Sequence, residues 1–345
     1  MRKDEPRVAI SPTGSHGVQT AVSVVIPTTG RASLPSAVQS VLDQVGVTVE
    51  VIVAMNGGGD LPDLPADNRV RVLTLQPGVG ANVARHQGIL SSQYPILALL
   101  DDDDLWLPTK LITQLRMVDE KTGRQRNFVV GCRIAEPDAD VTSTIRPTVV
   151  PECPIASVAE YLFRRDTLKS RRPQLQSSTL VFPRDLYQLA TFDGAVPIHQ
   201  DWEWILKAEK AGASILLCPD VLALCDKGNP ASITSATKWW QSVRWAQSRL
   251  SDNPILMRDF ILTIALRFAL RGGSLRGSVT CLCLGLRPAL SNWRSSAYAL
   301  VQFIAFAPAQ MAKVAYRYLR NHRHVTNGEP RSASVSVVGE GARDA

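Results

Sequence analysis

The sequence predicts an α/β fold: a mostly parallel β-sheet flanked by helices, followed by a C-terminal helical module. Three observations carry this expectation. The apolar run Ile96–Leu100 lacks the polar–apolar alternation of a strand with one wet face, and Val22–Pro27 and Val47–Ala54 are mostly apolar too. They therefore read as strands buried on both sides, the habit of parallel sheets. Stretches of helical pattern separate them, and that alternation is the order of βαβ units. From Lys238 onward the pattern is almost wholly helical.

In chain order, Val22–Pro27 (VSVVIP) is the first strand and Thr28-Thr29-Gly30-Arg31 the loop after it. A helix over Leu34–Leu42 follows, with Ser33 placed to cap it and Pro35 in its first turn, where a missing N–H costs little. Val47–Ala54 is the second strand, closed by the turn Asn56-Gly57-Gly58-Gly59, and Val70–Leu75 the third. A glycine-bearing loop leads into a helix over Ala81–Ser91, and Ile96–Leu100 is the fourth strand. After residue 125 the pattern loosens into shorter strands and loops until a helix at Asp201–Ala211. The expected organisation is a flexible arm over 1–20, the α/β domain over 21–237, a basic helical module over 238–323 and a disordered tail over 324–345. The tail is rich in Ser, Gly, Glu and Arg.

Four consecutive aspartates, Asp101–Asp104, directly follow the fourth strand. Carboxylates so close repel one another, so a cation is expected beside them. In an open α/β sheet, ligands bind in the crevice beyond the carboxyl ends of the strands. Hard oxygen ligands suit Mg2+ or Mn2+, and Mg2+ commonly completes its shell with phosphate oxygens. The plainer alternative is a solvated acidic turn capping the helix that starts near Pro108. The buried strand immediately before the run favours the metal–phosphate role.

Composition sets the remaining limits. The 345 residues are 45% hydrophobic and 20% charged, ordinary for a globular chain with one large core or two modest ones. Six cysteines (Cys132, Cys153, Cys218, Cys225, Cys281, Cys283) form no CxxC pair, which argues against zinc and for a reducing compartment. The first residues, MRKDEPRVAISPTGSHG, lack the apolar core of a secretory signal. The net charge of +7 is unevenly placed. Between Pro254 and Arg323 ten Lys/Arg face one acid, Asp259, which makes that segment +9 and leaves −2 elsewhere.

Such a basic, apolar helical set fits a layer on anionic lipid better than a membrane span. Ser295–Ala312 is uncharged over eighteen residues, the lower limit of a span, but contains Gln302, Pro308 and Gln310. A helical bundle packed on the first domain is the plainer alternative. No aromatic–basic RNA motif or recognition-helix pattern accompanies the charge, so nucleic acid is not an expected partner.

Six separated motifs, VSVVIPTTGR, LPSAVQSVLDQ, EVIVAMNGG, GVGANVARHQGI, ILALLDDDDLWLP and QDWEWILKAEKAG, occur in an order and spacing that resembles family 2 glycosyltransferases. The resemblance covers about residues 21–236. It implies a GT-A fold and an inverting transfer of a sugar from a nucleotide-diphosphate-sugar donor to a hydroxyl acceptor. It also implies surface-glycan synthesis with a glycan or lipid-linked acceptor. The implied location is cytoplasmic, peripheral on the inner face of the cell membrane.

The resemblance assigns Pro27, Thr28 and Thr29 to the nucleotide base and ribose. Asn56 stands where the family usually has a base-reading aspartate, and Met55 replaces another common aspartate, which leaves the base preference open. Arg85 is placed to bring a positive charge to the nucleotide or to pair with an acid, and His86 stands where asparagine is frequent. Alignment on Leu107-Pro108 makes Asp102 and Asp103 the central DxD-like pair, with Asp103 as metal ligand and Asp102 orienting the ribose or sharing the cation. Asp101 and Asp104 are left to support the site or cap the next helix.

Inversion by direct displacement needs a carboxylate to take the acceptor hydroxyl's proton. Asp201 occupies the family's position for it, preceded by Gln200 in place of the usual glutamate. Glu203 is the rival, but residues two apart on a helix face different sides. Trp202 and Trp204 are candidates for the acceptor wall or for core. Gln241-Ser242-Val243-Arg244-Trp245 matches the QxxRW pattern of processive synthases, a weak match for which a packing helix is the plainer account. His199 is read as polar loop surface. Two other classes compete: a sugar-1-phosphate nucleotidyltransferase, whose glycine-rich basic loop VVIPTTGR does not supply, and a catalytically silent sugar- or partner-binding module of the same fold.

Overall fold

A computed structural model describes residues 20–123, 127–137, 144–165, 173–225 and 238–286. The chain divides into two compact units, residues 1–237 and 238–345. The expected N-terminal arm and C-terminal tail, and Ser295–Ala312, lie outside the described residues.

In the first unit, β1 (Ala21–Thr28), β2 (Thr48–Met55), β3 (Val70–Thr74) and β4 (Ile96–Leu99) pair in parallel. β1 and β2 are buried almost throughout, and two of their buried polar side chains pair with each other, Ser23 Oγ donating to Glu50 Oε1 at 2.5 Å. Val22, Val24 and Ile26 face α1 (Leu34–Leu42) and α3 (Lys110–Thr122) in one continuous core. Val25, pointing to the other face, packs under α2 (Ala81–Ser91). α1 and α2 occupy the spans the sequence predicts, although Ser33 stands at the N-cap without a side-chain capping bond.

The second half of the sheet is mixed. β7 (Val181–Pro183) runs antiparallel to β4 and to β6 (Phe128–Ala135). β6 is parallel to β8 (Ser214–Cys225), and β5 (Asp104–Trp106) closes the edge antiparallel to β8. The order β3-β2-β1-β4-β7-β6-β8-β5 makes eight strands. Short helices α4 (Val158–Phe163) and α5 (Arg184–Leu189) precede α6 (Gln200–Lys210). The mostly parallel expectation is met by strands β1–β4, and antiparallel partners begin at β7.

Lys110 is the least expected resident of this core. It is wholly buried, with Nζ 3.9 Å from the Trp106 ring centre and donating to Gln114 Oε1 at 2.7 Å. Gln114 in turn donates to the Val130 and Thr179 carbonyls, so the ammonium is solvated by protein. Burial lowers its pKa from 10.5 to about 8. Between those values the unfolded chain binds the extra proton, so stability rises with pH. Buried thiols such as Cys132, raised to about 11, oppose this once the pH passes their ordinary 9.0. Urea unfolding between about pH 7.5 and 9 is therefore expected to show a gain on the order of 1 kcal/mol that Lys110→Met lacks. An equal slope in the variant would remove Lys110 as its source.

The described part of the second unit is helical: α7 (Trp239–Arg249), α8 (Pro254–Phe260), a π-helical turn over Ile261–Ala265, α9 (Leu266–Arg271) and α10 (Leu275–Gly285). The QxxRW residues lie on α7. Gln241 accepts from the Lys238 backbone N–H, Arg244 sits over the Trp240 ring, and Trp245 is buried against Phe260. These are helix-capping and packing roles.

Candidate active site

Parallel β1, β2 and β4 bring their carboxyl ends to one edge of the sheet. β1 and β4 are neighbours there, yet the chain visits β2 and β3 between them. This is the point of reversal where α/β sheets place ligands. Thr28, Asn56 and Asp101–Asp104 all leave the sheet at this edge. Asn56 N–H donates to the Thr28 carbonyl at 2.8 Å, tying the two loops together.

The aspartates have separate environments. Asp102 is buried and accepts from Thr28 Oγ1 at 2.5 Å, and Thr28 Oγ1 itself accepts from the Gly30 N–H at 2.9 Å. Arg31 Nη1 bridges Asp103 Oδ2 at 2.5 Å and Asp102 Oδ1 at 3.2 Å. Asp101 pairs with Arg85 at 2.7 Å, and its N–H donates to Ser178 Oγ. Asp104 lies in β5, buried, and accepts from Ser178 Oγ at 2.5 Å. Neither Asp101 nor Asp104 caps α3, whose N-cap is Thr109. Burial raises the Asp102 carboxyl above the ordinary range. Repulsion from Asp103 and Asp101 adds to this, while Thr28 and Arg31 oppose it.

Arg85 connects the aspartate run to α6. It rises from α2 at a place where the helix presses closely on β1: a Cβ at Gly88 would stand 2.4 Å from Val25 Cγ1. Besides Asp101, Arg85 donates to Gln200 Oε1 at 3.1 Å. Burial disfavours its charge, but attraction to Asp101 and Asp201 outweighs that and holds the guanidinium protonated. His86, one residue on, bonds Tyr187 Oη at 2.8 Å and is not part of this chain of contacts.

Asp201 is anchored by a 3₁₀ turn over Ser177–Thr179. Ser177 donates to its carboxylate twice, from N–H at 3.1 Å and from Oγ at 2.5 Å. Burial raises its pKa and the nearby Asp101 adds to the rise, against Arg85 and the two Ser177 hydrogen bonds. Glu203 is buried and pairs with Lys207 at 3.6 Å, so Asp201 and Glu203 do have different surroundings.

Trp204 belongs to the core, packed on Phe182 and Phe192 with Nε1 donating to the Ala190 carbonyl. Trp202 is part-exposed, edge-on to Phe163 and stacked on His199. His199, read from the sequence as polar loop surface, is half-buried. It starts α6 from a left-handed conformation (φ 55°), and burial lowers its pKa to about 3, leaving it neutral near pH 7.

The structure thus sets two polar clusters side by side, Thr28–Asp102–Arg31–Asp103 and Asp101–Arg85–Gln200, with Asp201 within electrostatic reach of Arg85 and Asp101. Pro27 is buried at the strand end and Thr29 is exposed beside it. Among the buried side-chain atoms without a hydrogen-bond partner in the described residues are Asn56 Oδ1 and Arg85 Nε, both at this edge. Buried polar atoms are normally paired, so both are suited to a ligand at this edge. Among the described residues no group of three or more His, Cys, Asp or Glu side chains is arranged to hold a metal. Asp102 and Asp103 together still offer hard oxygen donors of the kind that bind Mg2+ when donor phosphates and water complete the shell.

Sequence reasoning missed Arg31, Ser177 and Ser178. The signal for Arg31 was its place in TTGR, one step past the glycine that ends the first strand's loop.

Residues 23–176 match the sequence family described as Glycosyl transferase family 2. The succinoglycan biosynthesis protein ExoO of Rhizobium meliloti (strain 1021) is 31% identical over 138 residues, covering 39% of this chain and 37% of that protein. The amylovoran biosynthesis glycosyltransferase AmsB of Erwinia amylovora is 27% identical over 141 residues, covering 41% and 44%. The chain thus spans less than half the length of these relatives. Among solved structures, the mannosyltransferase PcManGT from Pyrobaculum calidifontis, in complex with GDP-Man and Mn2+, superposes with a TM-score of 0.50 at 18% identity. That superposition covers 90% of this chain and 91% of the other, and establishes the fold.

Proposed function

We propose that this chain, which belongs to glycosyl transferase family 2 through residues 23–176, is an inverting, metal-assisted transferase. It moves a sugar from a nucleotide-diphosphate-sugar donor to a hydroxyl acceptor in surface-glycan synthesis. The observation that carries the reading is the division of labour among carboxylates. Asp103 is half-buried and paired with a cation, Arg31, whereas the half-buried Asp201 is held by Ser177 and has its proton affinity raised by desolvation. A carboxyl whose surroundings raise its proton affinity is suited to act as a general base.

Asp103, with Asp102 beside it, would hold Mg2+ or Mn2+, which when bound neutralises charge on the departing diphosphate. Pro27, Thr28 and Thr29 line the nucleotide at the β1 exit. Asn56 meets the base with either end of its amide, which leaves uridine and guanosine donors both compatible. Arg85 keeps Asp101 and Gln200 in place and offers its Nε to the donor. Asp201 takes the acceptor proton as the acceptor oxygen attacks the anomeric carbon from the face opposite the diphosphate, inverting its configuration.

We place the protein on the inner face of the cell membrane, held peripherally by the basic C-terminal module. No helix among the described residues is long and apolar enough to cross a membrane. One experiment tests both parts. The full chain is incubated with Mn2+, a donor panel and vesicles, and nucleotide diphosphate release and sedimentation are followed. Release from one donor and salt-sensitive sedimentation with anionic vesicles are expected. No release from any donor would favour a silent binding module, and nucleotide exchange with pyrophosphate release a nucleotidyltransferase. Absence from vesicles would leave a module packed on protein.

A further inference from the structure

We infer that Arg31 competes with the divalent cation for Asp102 and Asp103 and, once displaced, gives its guanidinium to the donor diphosphate. The inference rests on the reading that these carboxylates take the metal. A single nitrogen, Nη1, lies within hydrogen-bond reach of both side chains, at 2.5 Å from Asp103 Oδ2 and 3.2 Å from Asp102 Oδ1. Asp102 and Asp103 would be the residues to hold a divalent cation, and their carboxylates are the groups that Arg31 already engages. Two positive groups brought to the same pair of carboxylates repel each other and compete for them.

The local backbone aims the arginine there. Gly30 has φ 92°, and a Cβ on it would stand 2.9 Å from the Asp60 carbonyl oxygen, so the turn into Arg31 is one that glycine permits. The Thr28–Asp102 hydrogen bond then fixes the carboxylate against the same loop. Of the three side chains, Arg31 is the most exposed, at 29% against 8% for Asp102 and 21% for Asp103.

Metal arriving alone must remove a charge-assisted contact and leave the guanidinium without that partner. Metal arriving with a diphosphate supplies one: a guanidinium matches phosphate oxygens as a fork, two N–H bonds at a time. Exchange keeps every charge paired, so metal and nucleotide bind cooperatively, each strengthening the other.

Mn2+ titrations of the full chain, alone and with UDP or GDP, test this in wild type, Arg31→Gln and Arg31→Lys. Arg31→Gln should bind Mn2+ alone about tenfold more tightly, the scale of one charged hydrogen bond, and bind nucleotide with Mn2+ about tenfold more weakly. Arg31→Lys should lie between. A merely structural arginine would weaken both together, and that result, or unchanged Mn2+ affinity, overturns the inference. Should wild type take up no Mn2+ with either nucleotide, or Asp103→Ala take it up normally, the metal reading itself fails and this inference with it. Thermal melts of each variant separate these outcomes from misfolding.

Discussion

Asp103→Ala is expected to abolish both sugar transfer and the metal-enhanced binding of nucleotide while leaving the fold intact. The carboxylate is not part of the packed core: its side chain is 21% exposed and its partner Arg31 retains Asp102 after the substitution. What is lost is one of the two oxygen-donor groups proposed for the cation. Charge stabilisation by such a metal is worth several kcal/mol, and each 1.36 kcal/mol is about tenfold in rate, so a fall of about 10³-fold or more is expected. Asp103→Asn should be nearly as damaging, because the amide keeps the shape but not the charge. Donor turnover and Mn2+-dependent nucleotide titration check the result, with a melting curve as control. Turnover at the wild-type rate in either variant would remove the metal from the centre of the mechanism.

Much of this arrangement was legible from periodicity, and the rest was not for identifiable reasons. α1 and α2 match their predicted spans because proline, glycine and apolar spacing mark both ends locally. β1, β2 and β4 were readable because strands buried on both faces are mostly apolar, Ser23 and Glu50 being buried exceptions. The short strands β5 and β7 carry no such signal. Their existence depends on partners far along the chain, β8 for the first and β4 and β6 for the second. The same limit hid the site's supports. Arg31 meets carboxylates 71 and 72 residues away, and Ser178 reaches Asp104 across 74. Such contacts are products of the sheet order and leave no local periodicity. Asp104 was readable as part of an acidic run, but its burial in an edge strand was not. Trp204 and Trp202 look alike in sequence, and only the packing of α6 sends one to the core and leaves the other part-exposed.

Asp201→Asn is expected to separate chemistry from donor binding more sharply than any other substitution in the site. Asparagine keeps the size of the side chain and an oxygen to accept from Ser177, but it cannot take a proton from the acceptor hydroxyl. Transfer should fall by about 10²–10⁴-fold, the usual worth of a positioned general base, while donor affinity changes little. The wild-type pH profile should carry the same signature. Because burial lifts the Asp201 carboxyl, activity should decline on acidification at a higher pH than an ordinary aspartate at 3.8 would dictate, and that limb should vanish in the variant. Equal loss of donor affinity would reassign Asp201 to the nucleotide side, where its proximity to Arg85 and Asp101 gives it a route. A fully active Asp201→Asn would shift attention to Glu203, but that carboxylate is buried and paired with Lys207, so it would first have to give up its partner to reach an acceptor.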